Sequence, residues 1–147
     1  MTTTRDAIAA ALKYYQDSQP NGLKDIDKQL KLYTEDSIFV SFPVAGVVGK
    51  NDARVMKGIK EIKIAFDEYN HFIKDIENFT IEYLHTMIDE HNLKGSFVMK
   101  ITHTTNKIKS IFLNYLQMQF NHDMKVTFSL NWQANADDDE VLKIVES

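Results

Sequence analysis

The sequence predicts an α+β fold in which three amphipathic helices come first and a curved, mostly antiparallel sheet closes over an apolar pocket. Two observations carry that expectation. Apolar residues recur at helical spacing as far as Ile73 and switch to a period of two after Asp75. Helices and strands are therefore segregated along the chain, the pattern of an α+β architecture and not of a parallel, doubly wound sheet. A length of 147 residues suits one domain, 1–147, large enough to bury roughly two-thirds of the surface that its unfolded chain exposes.

Ile8, Leu12 and Tyr15 share one helical face, and Thr3 with Asp6 supplies a capping pair at the start of that helix. It ends near Ser18, because Pro20-Asn21-Gly22 breaks the pattern. Leu23, Ile26, Leu30 and Tyr33 then step by three or four residues, predicting a second helix that Asp36-Ser37 closes. Residues 38–42 read as a short buried strand before Pro43, and a glycine-containing loop leads to a short strand at Arg54–Lys57. Gly58 opens the third helix. Its apolar stripe is Ile59, Ile62, Phe66, Tyr69 and Ile73, with Lys60, Glu61, Lys63, Asp67 and Glu68 on the other faces.

Beyond Asp75, Phe79, Ile81, Tyr83, His85 and Met87 alternate with Thr80, Glu82, Leu84 and Thr86. Phe97, Met99, Ile101 and His103 alternate with Val98, Lys100 and Thr102. Residues 111–120 form a long apolar strand whose two faces the period does not separate. Val126, Phe128, Leu130 and Trp132 alternate with Thr127, Ser129, Asn131 and Gln133; Asp137-Asp138-Asp139 is an acidic turn, and 141–145 a closing strand.

Composition excludes several classes of function. Hydrophobic residues at 44% and charged residues at 26% are ordinary for a globular chain. A net charge of -4 argues against nucleic acid, whose phosphates demand a basic patch. The absence of cysteine removes disulfides and thiolate metal sites. Residues 1–12 make a poor signal peptide, and no apolar run approaches the roughly 18 residues of a membrane span. A cytoplasmic location and no membrane partner are the resulting expectations.

The stretch Leu32-Tyr33-Thr34-Glu35-Asp36-Ser37-Ile38-Phe39 is similar to the "LYADDAxF" helix-to-strand passage of the nuclear transport factor 2-like superfamily, which includes SnoaL-like polyketide cyclases and ketosteroid isomerases. Pro43-Val44 with Gly46, the helix opening Gly58-Ile59-Lys60-Glu61-Ile62, and an ending from Trp132 through Asp138 to Ile144 that looks like a final hairpin support the resemblance. It implies a cone-shaped, cystatin-like fold around a pocket. In the isomerase branch a helix-one tyrosine donates to a developing oxyanion, an aspartate before the strand-end proline is the base, and a neutral late-strand aspartate assists. Carried over, the tyrosine is Tyr15, the base position falls on Phe42 or Ser41, and the second acid, which cyclases would also use, falls on Leu130 or Asn131. The resemblance therefore implies the pocket without the familiar isomerase or cyclase mechanism.

Period-two parity puts His85 and His103 on the pocket side, where with Tyr15, Asn114 or Asn131 they would supply a base and hydrogen-bond donors for a small carbonyl or hydroxyl ligand. Packing near a strand end is the competing role for either histidine. Asp89 is the one carboxylate on their faces, so no metal and no cofactor are expected. His71, His91 and His122 fall at a helix end or in turns, and the acidic run at 137–140 lacks the glycine of a calcium loop. Phe42, Phe112, Met118 and Trp132 are expected to line or fill the pocket, with Met87 and Met99 as adaptable apolar neighbours.

Two functional readings follow. One is a pocket for a small apolar molecule, with or without weak lyase, isomerase or cyclase activity through Tyr15 and a histidine. The other is a non-enzymatic module with a filled pocket, forming a homodimer through the sheet, where Tyr115, Gln117 and Gln119 alternate with bulky apolar residues. The sequence leaves open whether the chain is an enzyme.

Overall fold

A computed structural model describes residues 2–42, 53–136 and 139–147. Helix α1 spans Thr4–Asp17, a 3-10 turn spans Pro20–Gly22, and α2 is one short turn at Ile26–Leu30. Strand β1 (Tyr33–Phe42) and β2 (Arg54–Lys57) precede α3 (Ile59–Ile73). Strands β3 (Glu77–Asp89), β4 (Lys94–Thr105), β5 (Ile108–Phe120) and β6 (Val126–Asn135) follow in succession, and α4 (Asp139–Glu146) comes last. The six strands form one curved sheet in the order β2-β1-β6-β5-β4-β3, in which only the β1–β6 pair is parallel. The α+β class stands.

Local chemistry accounts for the helix ends. Thr3 and Asp6 form a reciprocal capping box at the start of α1. Gly58, at φ 86°, turns the chain into α3 in a conformation that side chains with a Cβ resist. Ile8, Leu12 and Tyr15 bury the inner face of α1 against β3 and β4; a Cβ at Gly95 would lie 2.9 Å from Leu12 Cδ1, so the bare backbone of β4 lets that helix come close. Helix α3 lays Ile62 and Phe66 toward β1 and β2, while Ile73 lies with Phe79, Ile101 and Phe112 of β3, β4 and β5. The core between these helices and the sheet takes Phe39 and Met56 from β1 and β2, and Phe97, Met99, Ile101, Phe112, Leu116 and Met118 from β4 and β5.

The structure corrects three sequence expectations. Tyr33 is the first residue of β1 and not part of a second helix. There Ser37 Oγ donates to Val126 O (2.6 Å), accepts from Thr34 N (2.8 Å), and accommodates a register shift between β1 and β6. The closing strand at 141–145 is instead helix α4. Leu142 and Val145, three apart, are its more covered residues, and Asp139 and Glu140 favour the positive end of the helix dipole. The third correction concerns strand faces and decides which side chains meet. Loop residues Pro43, Val44 and Gly46, and Asp137 and Asp138 of the acidic turn, lie outside the described residues. No helix among the described residues is long and apolar enough to cross a membrane.

Candidate functional site

A partly enclosed cavity of about 90 Å³ lies between α1, α3 and the inner face of the sheet. Tyr15, Phe39, Met56, Phe66, Tyr69 and Met99 give it apolar walls, and Lys24, Ser41, Asn114 and Asn131 bring polar groups to it.

The last turn of α1 and the segment after it build one end. Tyr15 is buried against Phe97, with ring centroids 5.7 Å apart. Ser18 closes the helix, its Oγ donating to Tyr15 O at 2.7 Å. The chain reverses through the Pro20–Gly22 turn, where Gly22 has φ 86° and packs directly on the Phe79 ring. The reversal sends Lys24 back toward Tyr15. Asn70 of α3 holds that backbone in place: its Oδ1 accepts from Lys24 N and its Nδ2 donates to Lys24 O, both at 2.8 Å.

Although some of Lys24 remains at the surface, its ammonium is enclosed. Nζ lies 3.0 Å from Tyr15 Oη, 3.1 Å from Gln19 Oε1 and 3.3 Å from Gln29 Oε1. It also lies 4.7 Å from the Phe66 ring centroid, 5.0 Å from that of Tyr15 and 5.1 Å from that of Tyr69, within cation–π range. None of the ion pairs among the described residues includes Lys24. Removal from water without a counter-charge lowers its pKa from 10.5 to about 7, so amine and ammonium coexist at neutral pH. Burial, with Tyr33, Tyr83 and Tyr69 nearby, pushes the Tyr15 hydroxyl well above its ordinary value, and Gln29 offsets this slightly. Tyr15 is therefore a neutral hydrogen-bond donor.

Strands β5 and β6 build the other end. Asn114 and Asn131 are each more than nine-tenths buried, and neither Oδ1 accepts a hydrogen bond from the described protein. Buried carbonyl oxygens without a partner are uncommon, because each forfeits the bond it would make in water. Ser41 and Gln133 lie alongside, and Arg54, paired with Glu68 at 2.9 Å, lines the same cavity.

Tyr15, Asn114 and Asn131 line one cavity. His103 and Phe112 line a smaller neighbouring cavity of about 20 Å³ with Phe79 and Ile101. The His103 ring stacks on Phe79 at 6.3 Å, and its Nδ1 is 3.1 Å from Thr105 Oγ1. Met118 is wholly buried in the core without lining either cavity.

His85 does not face the pocket. A register shift between Leu84 and Met87, with His85 at φ 53°, breaks the alternation of β3; His85 is exposed and its Nε2 meets Val145 O of α4. Met87 is likewise exposed, at 68%. In β6 the irregular pairing near Phe120 reverses the expected faces, so that Ser129, Asn131 and Gln133 point inward while Phe128 and Trp132 point out. Trp132 is 55% exposed and stacks on Phe42 at 4.7 Å on the outer face. Neither ring lines the cavity. Of the paired alternatives, Ser41 and Asn131 are the cavity residues, and both are uncharged. Sequence reasoning missed Lys24: one lysine after a turn carries no pattern, and its enclosure comes from α1, α2 and α3 together.

No family model matches the sequence, and no curated protein matches it. Solved structures do match in fold. PrhC from Penicillium brasilianum NBRC 6234 aligns with a TM-score of 0.63 at 16% identity, over 97% of this chain and 87% of that one. The epoxide hydrolase/cyclase-like enzyme SalBIII, studied for pyran ring formation in the polyether salinomycin, aligns at 0.64 and 14%, over 91% and 95%. RV0760c from Mycobacterium tuberculosis in complex with estradiol-17beta-hemisuccinate aligns at 0.59 and 12%, over 85% and 92%. The fold is the cystatin-like one that the sequence resemblance implied.

Proposed function

We propose that this chain binds a small, largely apolar molecule through a carbonyl or hydroxyl oxygen and activates that oxygen for proton-transfer chemistry such as isomerisation, cyclisation or elimination. The carrying observation is the Tyr15–Lys24 pair, enclosed in an aromatic cavity and lacking a carboxylate partner among the described residues. When Tyr15 Oη accepts from the Lys24 ammonium, its own proton is available to a ligand oxygen. Negative charge that develops there meets an O–H backed by a cation, in surroundings that screen the interaction little. Lys24 would then take the assisting part that a neutral aspartate plays in isomerases of this fold. Ser41 and Asn131 have no ionisable group, so the base in this reading is Lys24 in its amine form, which becomes the ammonium that backs Tyr15 as it takes the proton. The unpartnered Oδ1 atoms of Asn114 and Asn131 suit a second ligand donor, an O–H or N–H.

The neighbours add support: SalBIII is described as an epoxide hydrolase/cyclase-like enzyme in pyran ring formation, and RV0760c was solved with estradiol-17beta-hemisuccinate. The cavity sets a size limit. At about 90 Å³ it is smaller than the ~150 Å³ that holds benzene, so a ligand of a few heavy atoms fits without rearrangement. Thermal-shift titration with short ketones, enones and alcohols tests the reading. Stabilisation by oxygenated compounds, weakened in Tyr15→Phe, is expected; no response to any of them would overturn it.

A second reading concerns the outer face of the sheet. Ile38 pairs with Phe128, Phe42 with Trp132, and Trp132 with Tyr115, which sets an apolar strip across β1, β6 and β5. Ile38, Tyr115, Phe128 and Trp132 are each at least 36% exposed. Helix α4 meets this face at β3 and β4, through His85 and Lys100. A second copy of the chain covers the strip in this reading, making a homodimer. Sedimentation should then show a dimer at micromolar concentration that Trp132→Glu dissociates, and a monomeric parent protein would overturn it.

A further inference from the structure

A cavity that seats an oxygenated molecule beside a lysine has one further chemical capacity, which rests on the preceding reading of the cavity. We propose that Lys24 Nζ condenses with the carbonyl carbon of a short apolar aldehyde or ketone bound there, forming an imine. Four observations support this assignment. Lys24 is a lining residue of the cavity, so its amine borders the space a ligand would occupy. The rings of Tyr15, Phe66 and Tyr69 surround Nζ within about 5 Å and exclude the water that would hydrate an ammonium. No ion pair among the described residues holds the charged form. The Asn70 clamp and the Gln19 and Gln29 carbonyls limit the movement of a side chain that is otherwise flexible.

The steps balance without an outside reagent. The Nζ lone pair attacks the carbonyl carbon, and the C=O π pair moves to oxygen, which takes a proton from Tyr15. Nζ, now bonded to carbon, loses a proton that restores the Tyr15 hydroxyl. Tyr15 then protonates the carbinolamine hydroxyl, which leaves as water while the nitrogen lone pair forms the C=N bond; the resulting iminium returns its N–H proton to Tyr15, and the net change is carbonyl plus amine giving imine plus water. Tyr15 Oη, 3.0 Å from Nζ, is in reach of a carbinolamine oxygen two bonds from that nitrogen. The titratable groups facing Nζ are Tyr15 on α1 and Tyr69 on α3, both held neutral by burial, while Arg54 across the cavity is paired with Glu68. With its pKa lowered to about 7, Lys24 exposes roughly a thousandfold more free amine at pH 7 than an ordinary lysine does.

Reductive trapping tests the proposal on the unmodified protein. Butanal with sodium cyanoborohydride at pH 7 converts an imine into a stable butyl amine, which peptide mapping by mass spectrometry locates. The expected result is a butyl group on Lys24 well before the exposed Lys13 and Lys28 react, with the α-amino terminus as an internal reference. This ratio is read within one folded protein, so no variant has to be stable. Labelling of Lys24 no faster than of Lys13 and Lys28 would overturn the proposal. Thermal shift with 1-butanol, which cannot form an imine, separates the two readings. Stabilisation by the alcohol without trapping at Lys24 refutes the imine and leaves the cavity reading intact, whereas neither response refutes both.

Discussion

Replacing Lys24 by methionine should change how stability depends on pH, and the size of the change follows from its enclosure. In the unfolded chain the lysine holds its proton up to about its ordinary pKa of 10.5, whereas in the folded protein it releases it near 7. Between these values the unfolded state binds one more proton than the folded state, so this group makes stability rise with pH. Each pKa unit is worth about 1.4 kcal/mol, and integrating from pH 7 to pH 9.5 gives a rise of about 3 kcal/mol. Below pH 7 the charge stays buried and its cost is constant. Above pH 10 the sign reverses. Tyr15, Tyr33, Tyr69 and Tyr83, all raised by burial, keep their protons when folded but lose them when unfolded, so the measurement stops at 9.5. Urea unfolding of wild type and Lys24→Met at both pH values isolates the effect, since exposed groups contribute equally to both proteins. Wild type should gain about 3 kcal/mol relative to the variant between the two. Parallel pH profiles would show that the ammonium is solvated and that the enclosed-amine account fails.

Gly22→Ala should destabilise the protein by about 2–4 kcal/mol, because φ is 86° there and the new Cβ would meet Phe79 Cδ1 at 2.1 Å; the urea midpoint reads the loss. Ser37→Ala removes a buried hydroxyl that serves both Val126 O and Thr34 N, so a loss of about 1–3 kcal/mol is expected in the same assay. Asn131→Leu replaces an unpartnered buried oxygen with a group of similar volume. It should leave stability unchanged or raised by about 1 kcal/mol while reducing thermal stabilisation by a ligand, and a large loss of stability would show that the amide is already satisfied.

The N-terminal capping box, the stop at Ser18, the third helix and the strand at Arg54–Lys57 were legible in the sequence because each rests on local chemistry: a cap, a breaker, or an apolar stripe. Tyr15 was legible for the same reason, as the inner face of α1 selects it over Tyr14. Asn114 was legible as a polar residue set among apolar strand positions, whereas the period of two put Asn131 on the face opposite Val126 and Trp132. The helix at Asp139–Glu146 was not, since a short apolar cluster with one lysine satisfies both periods.

The histidines and rings divide along another line. A period of two assigns a strand's faces only while pairing stays regular, and one irregularity exchanges every face beyond it. The shift around His85 turned that ring outward to Val145, whereas β4 is regular and His103 stayed inside. The irregularity between Val126 and Phe128 put Trp132 outside and Asn131 within. The sequence by itself determined the α+β class and most element positions. Only the tertiary structure decided which strand faces enclose the cavity and that Lys24 stands in it beside Tyr15. Bulges and the enclosure of a charge arise from contacts between segments far apart in the chain, and no local pattern of residues encodes them.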